Sequence, residues 1–105
     1  MLFELDIFSG QPNPVWELSE SDSLALQGLQ DALRTYSEEP SAPPGLGYRG
    51  FCYGEGRSRS RAYGGFIRSP QVLLIDRSQS IERFLRDKLP AQLSHLRAKM
   101  NLPQP

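Results

Sequence analysis

The sequence predicts an α+β fold, a small, mostly antiparallel sheet with two or three helices packed on one face. Short segments rich in aromatic and β-branched residues, bounded by Gly, Pro and Ser, are typical of strands. Other stretches repeat their apolar residues at helical spacing. The predicted order is one strand, one helix, three strands, a helix and a last helical segment. We expect the uncovered face of the sheet to carry polar and aromatic residues.

Length and composition indicate one globular domain, residues 1–105, with 38% hydrophobic and 23% charged residues. The net charge is zero but unevenly spread, since residues 1–40 carry eight acids and one Arg, whereas residues 41–68 carry five Arg and one Glu. The single cysteine, Cys52, excludes an internal disulfide. The N-terminus lacks the features of a signal peptide, and no apolar run is long enough to cross a bilayer. We therefore expect a cytoplasmic protein without membrane contact.

The N-terminal part is predicted to form one strand and one helix. Residues 2–8 alternate in polarity, so that Glu4 and Asp6 project from the same face of the strand. Ser19 is a suitable N-cap for a helix over residues 20–36, whose apolar residues form one stripe.

The remaining segments are read from turn residues and apolar runs. They are a Pro-rich loop at 37–47, strands at 48–53 and 61–67 joined by a loop at 54–60, a buried strand at 72–76, a helix capped by Asp76 or Ser78, and a last helical segment at 90–99. The glycines inside the strands, Gly50, Gly64 and Gly65, indicate bulges or a close approach to the backbone.

A stiff turn, Phe8-Ser9-Gly10-Gln11-Pro12-Asn13-Pro14-Val15-Trp16, is the most distinctive stretch of the chain. The prolines fix their own φ angles and push the preceding residues towards extended geometry. Asn13 either ties the loop to itself or faces a ligand, since its amide both donates and accepts hydrogen bonds. Trp16, the only tryptophan, either packs in the core or provides an apolar contact to a partner.

Arginines and aromatic residues interleave in the predicted hairpin, as they do on surfaces that bind single-stranded nucleic acid. They are Tyr48, Arg49, Phe51, Tyr53, Arg57, Arg59, Arg61, Tyr63, Phe66 and Arg68. Residues 49–53, Arg-Gly-Phe-Cys-Tyr, resemble the start of the RNA-recognition-motif signature. Gly54 and Glu55 depart from the signature, and a Pro-rich loop stands where that fold has a second strand. The other interpretation is a sheet whose aromatic residues form its core.

Catalytic patterns are incomplete in this sequence. Glu4 and Asp6 on one strand face suit acid–base chemistry or a metal, but we favour a solvated face or pairing with the downstream arginines, because no third ligand follows at a suitable spacing. The single His95 and Cys52 show no supporting spacing, and no phosphate-binding loop, dinucleotide fingerprint or zinc motif is present.

Three separated segments resemble a group of small bacterial proteins to which we attach no established activity. They are Phe8-Ser9-Gly10-x-Pro12-Asn13-Pro14-x-Trp16-x-Leu18-Ser19, then Leu46-Gly47-Tyr48-Arg49-Gly50-Phe51, then Tyr63-Gly64-Gly65. The resemblance implies that the turn and the Tyr-Arg-Gly-Phe strand belong to one compact design, and it implies no reaction.

The leading prediction is a non-enzymatic binding or accessory module that recognises a peptide, a protein or a small anionic ligand. The turn and the Arg/aromatic hairpin would form its surface, and no cofactor or metal is assigned. A single-stranded nucleic-acid (RNA) binder and a small enzyme using Glu4 and Asp6 with arginines are the alternatives. The predicted ligand-binding residues are Asn13, Trp16, Tyr48, Arg49, Arg57, Arg59, Arg61 and Tyr63.

Overall fold

The computed structural model describes residues 1–7, 12–40, 42–43, 45, 47–54 and 56–100. Its elements are β1 (Leu2–Leu5), β2 (Val15–Glu17), α1 (Glu20–Asp31), β3 (Arg34–Thr35), β4 (Phe51–Tyr53), a 3-10 turn (Gly56–Ser58), β5 (Ser60–Tyr63), β6 (Phe66–Arg68), β7 (Leu73–Ile75), α2 (Ser80–Asp87) and a C-terminal 3-10 segment (Ala91–Lys99). Residues 8–11 of the predicted turn lie outside the described residues, as do Ser41, Pro44 and Leu46 of the Pro-rich loop.

The seven strands of the described residues belong to one sheet in the order β2-β1-β4-β5-β6-β7-β3. Every pairing in it is antiparallel. This confirms the predicted α+β class. Strands β4 to β7 follow one another both in the chain and in the sheet, whereas β1 pairs with β4 across a long sequence separation.

The core lies between one face of the sheet and the helices. Its members are Phe3, Leu5, Phe51, Tyr53, Ala62 and Ile67 from the sheet, and Leu26, Ile81, Leu85 and Leu96 from the helical elements. Because successive side chains on a strand point to opposite faces, the residues between them lie on the other side of the sheet. We call that side the outer face.

The predicted strand at 61–67 is wrong as a single element, because Gly64 and Gly65 turn the chain between β5 and β6. Their φ angles are +64° and +87°. Positive φ at both central residues is what a tight two-residue hairpin requires, and glycine adopts it without steric cost. The turn places Tyr63 opposite Phe66 and Arg61 opposite Arg68.

At Gly50 the structure shows the close approach to the backbone that was predicted as one reason for a glycine at this position. Its φ is +104°, and a Cβ added there would lie 2.4 Å from the carbonyl oxygen of Ala62. Strand β4 can therefore pair closely with β5 only if this position has no side chain.

Helix α1 ends at Asp31, five residues before the predicted end. The chain then pairs with β7, where Arg34 lies opposite Ile75 and the Tyr36 amide donates to the Leu73 carbonyl at 2.8 Å. Tertiary strand pairing thus overrides the helical spacing of the apolar residues. The three-residue strand β2 was not predicted either.

The start of α1 agrees with the sequence, whereas the residue that precedes α2 is Gln79, whose side chain makes no capping hydrogen bond. The Ser19 hydroxyl accepts from the Asp22 amide at 3.1 Å, as expected of an N-cap. The Asp76 carboxylate accepts from the amides of Ser80 and Ile81 at 3.1 and 2.9 Å, and so satisfies the free donors at the start of α2. The last helical segment is a 3-10 helix.

Candidate functional site

The outer face carries a row of mostly charged residues that crosses five neighbouring strands. Glu4 lies opposite Cys52, Cys52 opposite Arg61, Arg61 opposite Arg68, and Arg68 opposite Leu73. The hairpin arginines are therefore brought beside the carboxylates of β1, which was one of the open interpretations of Glu4 and Asp6.

Two ion pairs cross over strand β4. Arg59 donates to Glu4 at 2.6 Å, and Arg61 donates to Asp6 at 2.8 Å. Each pair joins β5, or the residue before it, to β1, or the residue after it, on the far side of β4. Cys52 is the outward-facing residue of β4, and it lies beneath the two ion pairs. It is therefore buried although it faces outward. Burial raises the pKa of the Cys52 thiol, although the neighbouring guanidinium groups of Arg61 and Arg59 oppose this.

Asn13 ties the Pro-Asn-Pro turn to strand β1. Its Oδ1 accepts from the Ile7 amide at 3.1 Å, and its Nδ2 donates to Glu4 at 2.9 Å and to Asp6 at 3.3 Å. The side chain thus holds both carboxylates in place, which agrees with the interpretation that Asn13 ties the loop. These bonds make Asn13 a positioning residue for the ion pairs.

Trp16 packs in the core. Its side chain is 7% exposed, and its ring meets Phe51 edge-on at a centroid distance of 6.0 Å. The indole Nε1 is buried and has no hydrogen-bond partner among the described residues. Trp16 therefore stabilises the inner side of the sheet and lies away from the outer face.

A groove of about 270 Å³ lies between the outer face and the Pro-rich loop. Its apolar lining comes from Tyr63, Phe66 and Leu73 on the sheet and from Pro40, Ala42 and Pro43 on the loop, and its charged lining comes from Arg61, Arg68 and Glu39. The guanidinium of Arg68 is paired with the Glu39 carboxylate. We call this cavity the outer groove.

A second, more open depression of about 320 Å³ adjoins the outer groove and shares Arg61 and Arg68 with it. Its remaining lining is Cys52, Arg59, Ser60, Ser69 and Pro70. Three guanidinium groups therefore border one concave surface, which we call the arginine depression.

The other predicted site residues lie elsewhere. Tyr48 is mostly buried and donates to Glu82 at 2.7 Å; burial and then the Glu82 charge raise its pKa far above the usual range. Arg49 lies 3.9 Å from Asp6 at the margin of the ion pairs. Arg57 is exposed on the 3-10 turn and lines neither of the two cavities on the outer face.

Glu82 is a buried polar centre that the sequence analysis did not identify. It is 1% exposed, and its carboxylate accepts from Tyr48, from the amides of Gly64 and Gly65, and from Gln79. The available signal was its helical spacing from Leu85, which puts Glu82 on the buried stripe of α2. This carboxylate fixes the hairpin turn between β5 and β6.

The geometry gives limited support to the two alternative functions, a single-stranded nucleic-acid binder and a small enzyme. Phe51 and Tyr53, the aromatic residues of the Arg-Gly-Phe-Cys-Tyr segment, face the core and offer no surface for base stacking. His95 is exposed on the C-terminal 3-10 segment, whose Leu96 packs in the core, whereas Glu4 and Asp6 lie on the outer face. Within the described ranges, no group of three or more His, Cys, Asp or Glu residues is arranged to hold a metal ion.

Comparisons with protein-family models, with curated proteins and with solved structures give no match to this chain. Among the described residues, no helix combines the length and apolarity needed to cross a bilayer.

Proposed function

We propose that the protein is a non-enzymatic binding module that recognises an anionic ligand with an apolar body in the outer groove. The ligand is a small molecule, or the corresponding group of a peptide or protein. The observation that carries the proposal is the composition of the groove, in which an aromatic and proline-lined surface lies directly beside Arg61 and Arg68. Ligand sites commonly combine such an apolar lining with a few convergent polar groups.

The apolar part of the groove is preorganised. Phe66 packs on Tyr36 at a ring-centroid distance of 5.1 Å, and Tyr63 packs on Tyr48 at 5.6 Å. Their rings are therefore held in place before a ligand arrives, which lowers the entropy cost of binding. The prolines of the opposite wall restrict the backbone of the loop in the same way.

The charged part of the groove already binds a carboxylate. Glu39, whose side chain is 75% exposed, pairs with Arg68 from the Pro-rich loop. An exposed ion pair of this kind contributes only about 0–1 kcal/mol. A ligand anion that also gains apolar contact can therefore displace Glu39 at little cost.

The proposal is tested by titrating the isotope-labelled protein with benzoate and with benzamide at low ionic strength, followed by amide NMR shifts. We expect benzoate to shift the signals of β5, β6 and β7, and the uncharged benzamide to bind more weakly. Arg68→Gln should weaken benzoate binding, whereas Arg57→Gln, the same change outside the groove, should not. Absence of any shift in these strands with benzoate contradicts the proposal.

A nucleic-acid site is the second candidate, because Tyr63 and Phe66 lie side by side on the outer face next to arginines. A short single-stranded oligonucleotide that bound the same strands, with an affinity falling steeply with salt, would favour it. Because Phe51 and Tyr53 face the core, only Tyr63 and Phe66 of the hairpin aromatic residues remain for base stacking on this face.

A further inference from the structure

We propose that the anionic group of the ligand is a phosphoryl group, held by Arg59, Arg61 and Arg68 in the arginine depression. This inference rests on the proposed function of the outer groove, since the two cavities share Arg61 and Arg68. The ligand is then an organic phosphomonoester, with its phosphoryl group in the depression and its apolar body on Tyr63 and Phe66.

The arginines are held from the side by carboxylates. Arg59 uses Nη2 to contact Glu4, and Arg61 uses Nη1 to contact Asp6 and the Arg49 carbonyl. A guanidinium has five N–H donors in a rigid fork. Each arginine uses only one of its nitrogens in these contacts, so the donors on its other nitrogens can bind a ligand. The carboxylates thus orient the guanidinium groups and reduce the entropy lost when an anion binds.

The arrangement of like charges favours an anion between them. Arg61 and Arg68 lie directly opposite each other on neighbouring strands, where like charges are destabilising, and one carboxylate offsets each of them, Asp6 for Arg61 and Glu39 for Arg68. Arg59 lies two residues before Arg61 and borders the same depression. A doubly charged anion removes this repulsion more completely than a singly charged one.

The number of donors distinguishes phosphate from carboxylate. A carboxylate has two oxygens and is satisfied by one guanidinium fork. A phosphomonoester presents three terminal oxygens and close to two negative charges at neutral pH, and can therefore contact three guanidinium groups at once. Ser69, whose hydroxyl donates to the Val72 carbonyl at 3.0 Å, also lines the depression.

The experiment compares phenyl phosphate, benzoate and inorganic phosphate as probes of the full chain, by NMR titration at low ionic strength. We expect phenyl phosphate to bind about tenfold more tightly than benzoate or inorganic phosphate, because it gains one more charge-assisted contact than benzoate and keeps the apolar body. Arg59→Gln should abolish the preference over benzoate and leave benzoate binding within about twofold, since Arg59 lines only the depression.

Arg57→Gln is the matched control, because it removes the same charge two residues away and outside both cavities. Arg59→Lys, which keeps the charge but not the fork, serves as a second variant if Arg59→Gln fails to fold, and it should also lose most of the preference. An equal loss in Arg57→Gln would overturn the assignment of Arg59.

The titrations distinguish a failure of the phosphoryl inference from a failure of the proposed function. If benzoate and phenyl phosphate bind the groove equally well, the phosphoryl inference is wrong and the proposed function stands. If inorganic phosphate binds as tightly as phenyl phosphate, the ligand is the free ion and the organic ester is excluded. If an oligonucleotide binds these strands more tightly than phenyl phosphate, a nucleic acid replaces the phosphomonoester. If none of the probes shifts these strands, both proposals fail.

Discussion

Replacement of Glu82 by Gln should destabilise the protein far more than any exposed Glu→Gln change. Oε1 accepts from the Tyr48 hydroxyl at 2.7 Å and from the Gly64 amide at 3.2 Å, and Oε2 accepts from the Gly65 amide at 3.0 Å and from Gln79 at 3.3 Å. Glutamine keeps one oxygen and replaces the other by an NH₂ group. Two of the four donors would then face the NH₂ group of glutamine, which is itself a donor, in a buried site.

The magnitude follows from these four bonds. A hydrogen bond to a charged group contributes about 1.5–3 kcal/mol. Loss of two such bonds, with the remaining two weakened to neutral ones, gives a decrease in the free energy of unfolding of about 4 kcal/mol. For a chain of this size, this corresponds to a decrease in Tm of roughly 20 °C. The protein should still fold if its stability lies within the usual range of about 5–15 kcal/mol.

Urea unfolding followed by circular dichroism measures the effect. Glu17→Gln is the matched control, since that carboxylate is 73% exposed and should change stability by less than about 0.5 kcal/mol. Tyr48→Phe removes one of the four donors and should give an intermediate loss. A Glu82→Gln variant within about 1 kcal/mol of the unchanged protein would refute the argument that a buried carboxylate fixes the turn.

Three further predictions concern the core and the backbone. Gly28→Ala should stabilise the protein by about 0.8 kcal/mol, because Gly28 lies inside α1 with open space around it. Gly50→Ala should destabilise it by about 3 kcal/mol, because Gly50 has a positive φ and a close backbone contact. Urea unfolding of both variants tests the contrast, and equal effects would contradict it. Trp16→Ala should cost about 3–5 kcal/mol through loss of core packing; a variant of unchanged urea midpoint would show that Trp16 is not a core residue. Burial raises the pKa values of Tyr48 and Tyr53, so these tyrosines ionise at a lower pH in the unfolded chain than in the folded protein. The free energy of unfolding should therefore be unchanged below about pH 10 and fall above it by about 1.4 kcal/mol per pH unit for each tyrosine. Tyr48→Phe should reduce the slope measured by urea unfolding at a series of pH values.

The parts of the fold that follow from local signals were predictable. The Ser19 cap, the alternation in β1 and the Asp76 cap each depend on residues within a few positions in the chain. The split between β5 and β6 was not predictable from the same kind of signal, because Gly64-Gly65 fits a bulge as well as a turn. Glu82, far along the chain, accepts from both glycine amides and so supports the turn.

The candidate site shows the same limit. The sequence placed Arg59, Arg61 and Tyr63 on the hairpin, and the structure brings all three to the outer cavities. Arg68 and Phe66 belong with them only because the two-residue turn places them opposite Arg61 and Tyr63. The other wall of the groove comes from Glu39, Pro40, Ala42 and Pro43, far earlier in the chain, and no local spacing reveals that contact.

The turn and the hairpin, which are far apart in the chain, act on the outer face as one unit. Asn13 donates to Glu4 and Asp6, these carboxylates contact Arg59 and Arg61, and the two arginines border the depression. A change in the turn should therefore alter the proposed binding of an anion, although Asn13 does not line the depression. In this arrangement the stiffness of the Pro-Asn-Pro segment has a physical role, since a mobile Asn13 could not hold two carboxylates, and through them two guanidinium groups, in fixed positions.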